Sequence, residues 1–337
     1  MKILVTGGAG FIGSNFIYYW LKNYPDDFLV NLDALKYSGN LENLNGLGKN
    51  SHYRFVKGDI CDRDDVELIM KEGVDVVVNF AAQTHVDLAL YTSYEFIKTN
   101  IMGTKNLLDA ASRHRIKRFH QISTDEVFGD LTLNSKERFK DQSPLHPNNE
   151  YAASKAGAEM FALAYAHTYQ LPVTISNATN NLGPYQYPEK FVPLAITNVL
   201  EGKKVPLYGR GEHIRDWIFV EDHCRAIDLI LKNGNPGERY LVGSNHPEIT
   251  NLELIQKILK RLGKDESYIE FVKDRPGHDR KYAVDSSQTE KLGWRPRMSL
   301  EQTIDLTVDW YLKNEAWWKK IKSGEYRRNY QMIYGNL

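Results

Sequence analysis

The string Gly7-Gly8-Ala9-Gly10-Phe11-Ile12-Gly13 sits between an apolar, strand-like run at residues 3–6 and a helical pattern at 12–22. Few short strings restrict a fold as much. Glycines at these spacings let a chain leave a strand, turn tightly and enter a helix. Backbone N–H groups can then meet a pyrophosphate at the positive helix end. Asp33 closes the next strand-like run, roughly 20 residues on, where an acid meets a ribose 2′-hydroxyl and repels a 2′-phosphate. The combination predicts a dinucleotide site for NAD rather than NADP. Gly7, Gly10, Phe11, Ile12 and Gly13 form its turn, Asp33 meets the ribose, and Asp59 and Ile60 meet the adenine.

Beyond that turn, strand-like runs at 29–33, 53–56, 74–80, 119–123 and 173–177 alternate with helical patterns at 64–71, 94–113 and 151–169. Runs that are apolar throughout, rather than alternating, mark strands buried on both faces. The expected fold class is therefore α/β, a Rossmann-type doubly wound parallel sheet. After Asn181, Gly183-Pro184, Pro188, Pro193, Pro206, Gly209 and Gly211 break the rhythm. In this reading residues 1–182 form the NAD-binding Rossmann domain. A helix at 216–231 and a strand at 240–242 complete it, over about 216–245. Residues 183–215 and 246–337 form a smaller α/β C-terminal lobe that contacts the substrate.

Composition narrows the partners. Forty-three basic side chains balance forty-three acidic ones, so no global field favours nucleic acid or a membrane surface. Cys61 and Cys224 stand without CxxC spacing, which excludes a disulfide framework and a cysteine zinc site and suits a reducing, cytoplasmic setting. No apolar run nears the roughly 20 residues that span a bilayer, and the glycines cut short any signal-peptide core. His85 and Asp87 have no third partner at ligand spacing, so no metal is expected. The basic run at 113–120 reads as a helix end and loop. Trp310, Tyr311, Trp317, Trp318, Tyr326, Tyr330 and Tyr334 read as packing onto their own lobe.

Two further strings carry chemistry. Tyr151 and Lys155, four apart in a helical pattern, share one helix face. An ammonium beside a phenol lowers the phenol's pKa and makes it a base for an alcohol that gives up hydride. Ser123-Thr124-Asp125-Glu126-Val127-Phe128-Gly129 ends an apolar strand, and the carboxyl ends of such strands are where α/β sheets bind ligands. Adjacent acids in unlike surroundings can divide into a proton donor and a base, which suits removal of water.

These strings resemble those of the extended short-chain dehydrogenases/reductases, and among them the nucleotide-sugar 4,6-dehydratases of the dTDP-glucose type. The resemblance runs essentially end to end. It rests on the opening turn, Ser123 to Gly129, Tyr151 to Lys155, Asn180-Asn181, Gly183-Pro184 and Pro188-Glu189-Lys190. Arg215-Asp216-Trp217 and Asp274-Arg275-Pro276-Gly277-His278-Asp279-Arg280 complete it.

The resemblance implies catalytic roles. Tyr151, helped by Lys155, takes the C4 hydroxyl proton as hydride leaves C4. Glu126 removes the C5 proton, Asp125 protonates the departing C6 hydroxyl, and Thr124 bonds the C4 oxygen. NAD is regenerated each turnover. Ala81, Ala82, Thr99, Tyr151, Lys155 and Asn181 join the cofactor residues. Thr84, Asn180, Lys190, Phe191, Pro206, Tyr208, Arg215, Asn251, Asp274, Arg275 and His278 join Thr124 on the substrate. Lys190 and Arg215 suit a diphosphate.

Gln83-Thr84, Phe128, Leu182 and Leu241 depart from the dTDP-type pattern, and Gln83-Thr84 resembles enzymes of UDP-glucose. UDP-glucose and UDP-N-acetylglucosamine therefore stay open beside dTDP-glucose, with an epimerase as the remoter alternative. The family pairs the helices at 94–113 and 151–169 across a two-fold axis. A homodimer through a four-helix bundle is expected.

Overall fold

The computed structural model describes residues 1–84, 93–274 and 277–323. His85, Asp87, Arg275, Tyr326, Tyr330 and Tyr334 lie outside the described residues.

The main sheet takes strands β1 (Lys2–Thr6), β2 (Phe28–Asp33), β3 (Tyr53–Lys57), β4 (Val76–Asn79), β5 (Arg118–Thr124) and β6 (Val173–Ala178). Short strands β7 (Asn180–Leu182), β8 (Val205–Tyr208), β9 (Ile214–Arg215) and β10 (Trp217–Phe219) follow, and β11 (Glu238–Val242) returns to the sheet. Its order is β3-β2-β1-β4-β5-β6-β11 and every pairing is parallel. This is the Rossmann-type doubly wound sheet, its order reversing between β1 and β4.

The apolar strands bury both faces, as their composition requires. Leu4, Val30, Val77, Phe119 and Ile175 enter one core. Ile3, Val5, Leu29, Val76 and Val78 enter the other. Successive side chains of one strand thus feed opposite layers.

Helices α1 (Phe11–Asn23), α2 (Arg63–Met70), α3 (Thr104–Arg113), α4 (Glu150–Tyr169), α5 (Phe191–Leu200) and α6 (Val220–Asn233) follow in chain order. Polar side chains start two of them. Asp62 Oδ1 accepts from the Asp64 N–H at 2.8 Å, and Asn149 Oδ1 from the Ala152 N–H at 2.8 Å. Beyond them lie β12 (Ile249–Thr250), α7 (Asn251–Arg261), β13 (Ile269–Val272), α8 (Ser287–Lys291), α9 (Leu300–Lys313) and α10 (Glu315–Ile321). A separate core of Leu182, Ile196, Trp217, Leu254, Ile258, Val308 and Trp318 packs α5, α7, α9 and α10 together. Trp317 ties this lobe to the loop after β2, donating to Asn43 Oδ1 at 2.9 Å.

Two elements differ from the sequence reading. Residues 97–103 form a π-helical turn ahead of α3 rather than continuous α-helix. Asn100, within that turn, bonds the backbone of Gln83 and the Ser154 hydroxyl, so the helix widens where it meets the site. The expected helix at 216 begins only at Val220, because Trp217–Phe219 is first taken into a parallel ladder with β7.

Candidate active site

The turn after β1 is built so that no side chain can enter it. Gly7 has φ +70°, and a Cβ there would lie 2.6 Å from the Ala81 nitrogen. A Cβ at Gly13 would lie 2.5 Å from the Gly7 carbonyl oxygen. Asp33 stabilises the approach, accepting from the Ala9 N–H at 2.9 Å and the Leu35 N–H at 2.8 Å. Burial raises the pKa of its carboxyl while these two bonds pull it back. A glycine cradle facing a helix start, with an acid behind it, fits a dinucleotide's pyrophosphate and ribose.

A cavity of about 320 Å³ extends from this cradle to the ends of β5 and β6. Gly7, Gly10, Phe11, Ile12, Gly13, Asp33, Asp59, Ile60, Ala81, Ala82, Thr99 and Asn181 line it, together with Tyr151 and Lys155. Thr84, Thr124, Glu126, Asn180 and Lys190 face the same space. Lys190 Nζ donates to the Thr84 carbonyl at 2.7 Å. Among the polar wall residues that the sequence reading missed are Lys36, Gln186 and His223. Lys36 forms an ion pair with Asp59 at 2.8 Å, Gln186 donates to the Asn181 carbonyl at 3.0 Å, and His223 bonds Asn181 at 3.0 Å. Lys36, three residues past Asp33, was within reach of the motif; His223 belongs to no string.

The acids stand at the carboxyl end of β5. Thr124 caps a one-turn 3₁₀ helix, Asp125–Phe128, its hydroxyl accepting from the Glu126 N–H at 3.3 Å. Gly129 ends that turn at φ +87°. Asp125 lies just behind the cavity wall, 1% exposed, and its Oδ2 accepts no hydrogen bond among the described residues. Burial raises its pKa well above the ordinary carboxyl value, the charges of Glu126 and Asp216 add to this, and Arg215 opposes it. The surroundings of Asp125 therefore favour its protonated form. Glu126, half-exposed, accepts from Asn149 Nδ2 at 3.4 Å, so the residue that caps α4 also touches the acid.

Tyr151 and Lys155 open α4 and face the cavity. Their electrostatics differ from the expectation of a phenol acidified by its neighbour. Burial pushes the Tyr151 pKa up, and the fields of Glu126 and Asp125 push the same way; a hydrogen bond with Thr124 opposes them. The Lys155 ammonium donates to the Ile122 carbonyl at 2.6 Å, and burial pulls its pKa down to about 8. Burial first, and then the nearby carboxylates, set the state of the phenol here.

The structure brings a second group together off the cavity wall. His278 Nδ1 bonds Asp274 at 2.7 Å, His213 Nε2 bonds the same carboxylate at 3.1 Å, and the two rings stack with centroids 3.9 Å apart. Tyr208, at the end of β8, meets His278 edge-on. The Asn251 N–H bonds the His213 carbonyl at 2.8 Å. Pro206 lies on β8, and Phe191, at the start of α5, stacks on Trp217. Arg215 donates to the carbonyls of Ile214, Arg280 and Asp279 and lies over the Tyr282 ring at 4.3 Å. The two groups meet electrostatically at Asp125, which feels the charge of Arg215.

Residues 4–307 match the family described as GDP-mannose 4,6 dehydratase. A dTDP-glucose 4,6-dehydratase of Streptomyces niveus is 47% identical over 96% of this chain and 96% of its own. The crystal structure of dTDP-glucose 4,6-dehydratase from Bacillus anthracis, in complex with NAD, is 48% identical. It covers 96% of this chain and 100% of its own, with a TM-score of 0.89. The Streptomyces venezuelae enzyme of the same name, with NAD and dTDP bound, is 44% identical over the same shares at a TM-score of 0.91.

Proposed function

From the premise that the chain belongs to the GDP-mannose 4,6 dehydratase family of extended short-chain dehydrogenases/reductases, we propose that it converts dTDP-glucose to dTDP-4-keto-6-deoxyglucose. The observation that carries this reading is the pair of unlike acids ending β5: Asp125 buried behind the cavity wall, Glu126 open to the cavity. An oxidoreductase or epimerase has no need of that pair.

Residues 1–182 with about 216–245 hold the cofactor, and the remaining lobe holds the nucleotide sugar. NAD, when bound, accepts hydride from C4 and returns it at C6. Tyr151, in its phenolate form, takes the C4 hydroxyl proton, and Thr124 orients the oxygen. A protonated Asp125 removes one of the two negative fields that raise the phenol's pKa. Once C4 is a ketone, the C5 proton is acidic; Glu126 removes it, and C5 is reprotonated as hydride returns to C6. Asp125 gives its proton to the C6 hydroxyl, which leaves as water. The acid that loses its proton in that step is the one burial drives to recover it.

The chain acts as a homodimer in a cytoplasmic setting. Tyr94, Ile97 and Met102, near the π-helical turn, and Met160, Phe161 and Tyr169 on α4 are exposed by 39–66%. Two neighbouring segments thus carry an apolar stripe that a four-helix bundle would cover. No helix among the described residues is long and apolar enough to cross a membrane.

The test is incubation with dTDP-glucose, UDP-glucose and UDP-N-acetylglucosamine in separate reactions, each product identified by NMR. A 4-keto-6-deoxy sugar from dTDP-glucose supports the reading. A 4-epimer, or turnover of a UDP sugar alone, overturns it.

A further inference from the structure

Glu159 lies one helical turn beyond Lys155 and two beyond Tyr151, so the three side chains share one face of α4. It is 0% exposed. Its carboxylate accepts from the Ser123 hydroxyl on β5 and from Asn177 Nδ2 on β6 at 2.6 Å, and faces Arg239 of β11 at 3.8 Å. Its Oε2 accepts no hydrogen bond among the described residues. A carboxylate is a costly way to fasten a helix to a sheet, since an apolar side chain could do so without desolvating a charge. What lies one turn away explains it. Lys155 is buried, and its ammonium hydrogen-bonds a neutral backbone oxygen rather than a carboxylate.

We propose that Glu159 is a positioning residue for the reaction, a buried counter-charge that keeps Lys155 cationic and holds α4 in register with the ends of β5 and β6. The proposal rests on the roles given above to Tyr151 and Lys155. Burial acts to discharge Lys155, and the charge of Glu159 opposes it. Burial likewise raises the Glu159 pKa, while Ser123, Arg239, Asn177 and Lys155 pull it back. Around Lys155, α4 also carries Tyr151, and the turn after β5 carries Asp125 and Glu126. From β5 and β6, Ser123 and Asn177 are neutral, as are Thr99 and Asn100 of the π-helical turn. Arg239 makes its ion pair with Glu159.

The lysine's midpoint is read directly from the ¹⁵Nζ shift of lysine-labelled protein followed with pH, beside pH profiles of kcat and kcat/KM. Glu159→Gln should lower the Lys155 midpoint by about one pH unit, within the usual range for one nearby charge. The alkaline limb of kcat should move with it. Glu159→Asp, which keeps the charge but withdraws it by a methylene, should fall between Gln and wild type. It carries the test if the Gln variant does not fold. Ser123→Ala removes a bond that favours the charged form of the same carboxylate, so it should lower Tm and shift the midpoint in the same direction as Glu159→Gln, but by less. An unmoved midpoint in the Glu159 variants, with Tm and rate lowered alike at every pH, overturns the proposal. If the midpoint moves but wild type makes no 4-keto-6-deoxy sugar, the counter-charge stands and the functional reading fails.

Discussion

At the scale of single residues, the site turns on how differently two adjacent carboxyls are housed. Asp125 is sealed in, with one oxygen that accepts no hydrogen bond among the described residues, whereas Glu126 lines the cavity. The account predicts unlike defects. Glu126→Gln should abolish solvent-deuterium entry at C5, and Asp125→Asn should slow water loss more than C4 oxidation. Each should cost about 10²–10⁴-fold in turnover, the usual loss for a positioned acid or base. Product NMR in deuterated buffer separates them, and near-normal turnover in both variants would contradict the division of labour. That these two residues adjoin was legible in the string Thr124-Asp125-Glu126. Their unlike burial was not, because Asp125 is closed in by charges remote in the chain, Asp216 and Arg215 among them. The same distance hid the state of Tyr151, whose surroundings are set as much by β5 as by its own helix.

At the scale of elements, the β1–α1 turn and α4 carry opposite demands, one for the absence of side chains and one for their exact facing. Gly7→Ala puts a methyl against the Ala81 backbone at a φ that alanine resists. NAD affinity, measured by titration calorimetry, should fall at least tenfold, about 1.4 kcal/mol; unchanged affinity would remove the cradle from the cofactor site. On α4 the inward face holds Ala152, Lys155 and Glu159, and the outward stripe holds Met160 and Phe161. Phe161→Glu should shift the protein from dimer to monomer by light scattering and lower activity with it; a fully active monomer at micromolar concentration would reject the bundle. Strand positions were readable because each is a nearly continuous apolar run. The π-helical turn at Ile97–Gly103 was not, since Asn100 makes it by bonding Gln83 and Ser154, partners far along the chain. Nor was β10, whose three residues hold their strand only through the ladder with β7.

At the scale of the whole molecule, acid stability is set in part by buried histidines of the sheet and of α6. His120, bonded to Thr174 at 2.9 Å and Ser176 at 3.1 Å, and His223, behind Asn181, both have pKa values lowered by burial to about 3. Their unfolded values lie near 6.5. The folded protein thus binds fewer protons below pH 6.5, and its stability falls as pH drops from there toward 3. Each histidine should contribute a slope approaching about 1.4 kcal/mol per pH unit between pH 6 and 4. Urea unfolding at pH 7, 6 and 5 should show this loss, and His120→Asn should flatten it; equal slopes would put the acid sensitivity elsewhere. The change of rhythm after Asn181 is where the long strands of the main sheet give way to the short strands β7 to β10. The His213–Asp274–His278 cluster was not legible in the sequence, because it joins segments that no local pattern connects. The central claim is that hydride leaves and re-enters one substrate molecule while water is lost between the two events. A turnover of dTDP-glucose deuterated at C4, run in ordinary water, tests it most directly. The account predicts deuterium at C6 of the 4-keto-6-deoxy product, solvent hydrogen at C5 and no build-up of free NADH. Deuterium lost to solvent, or collected in released NADH, would contradict it.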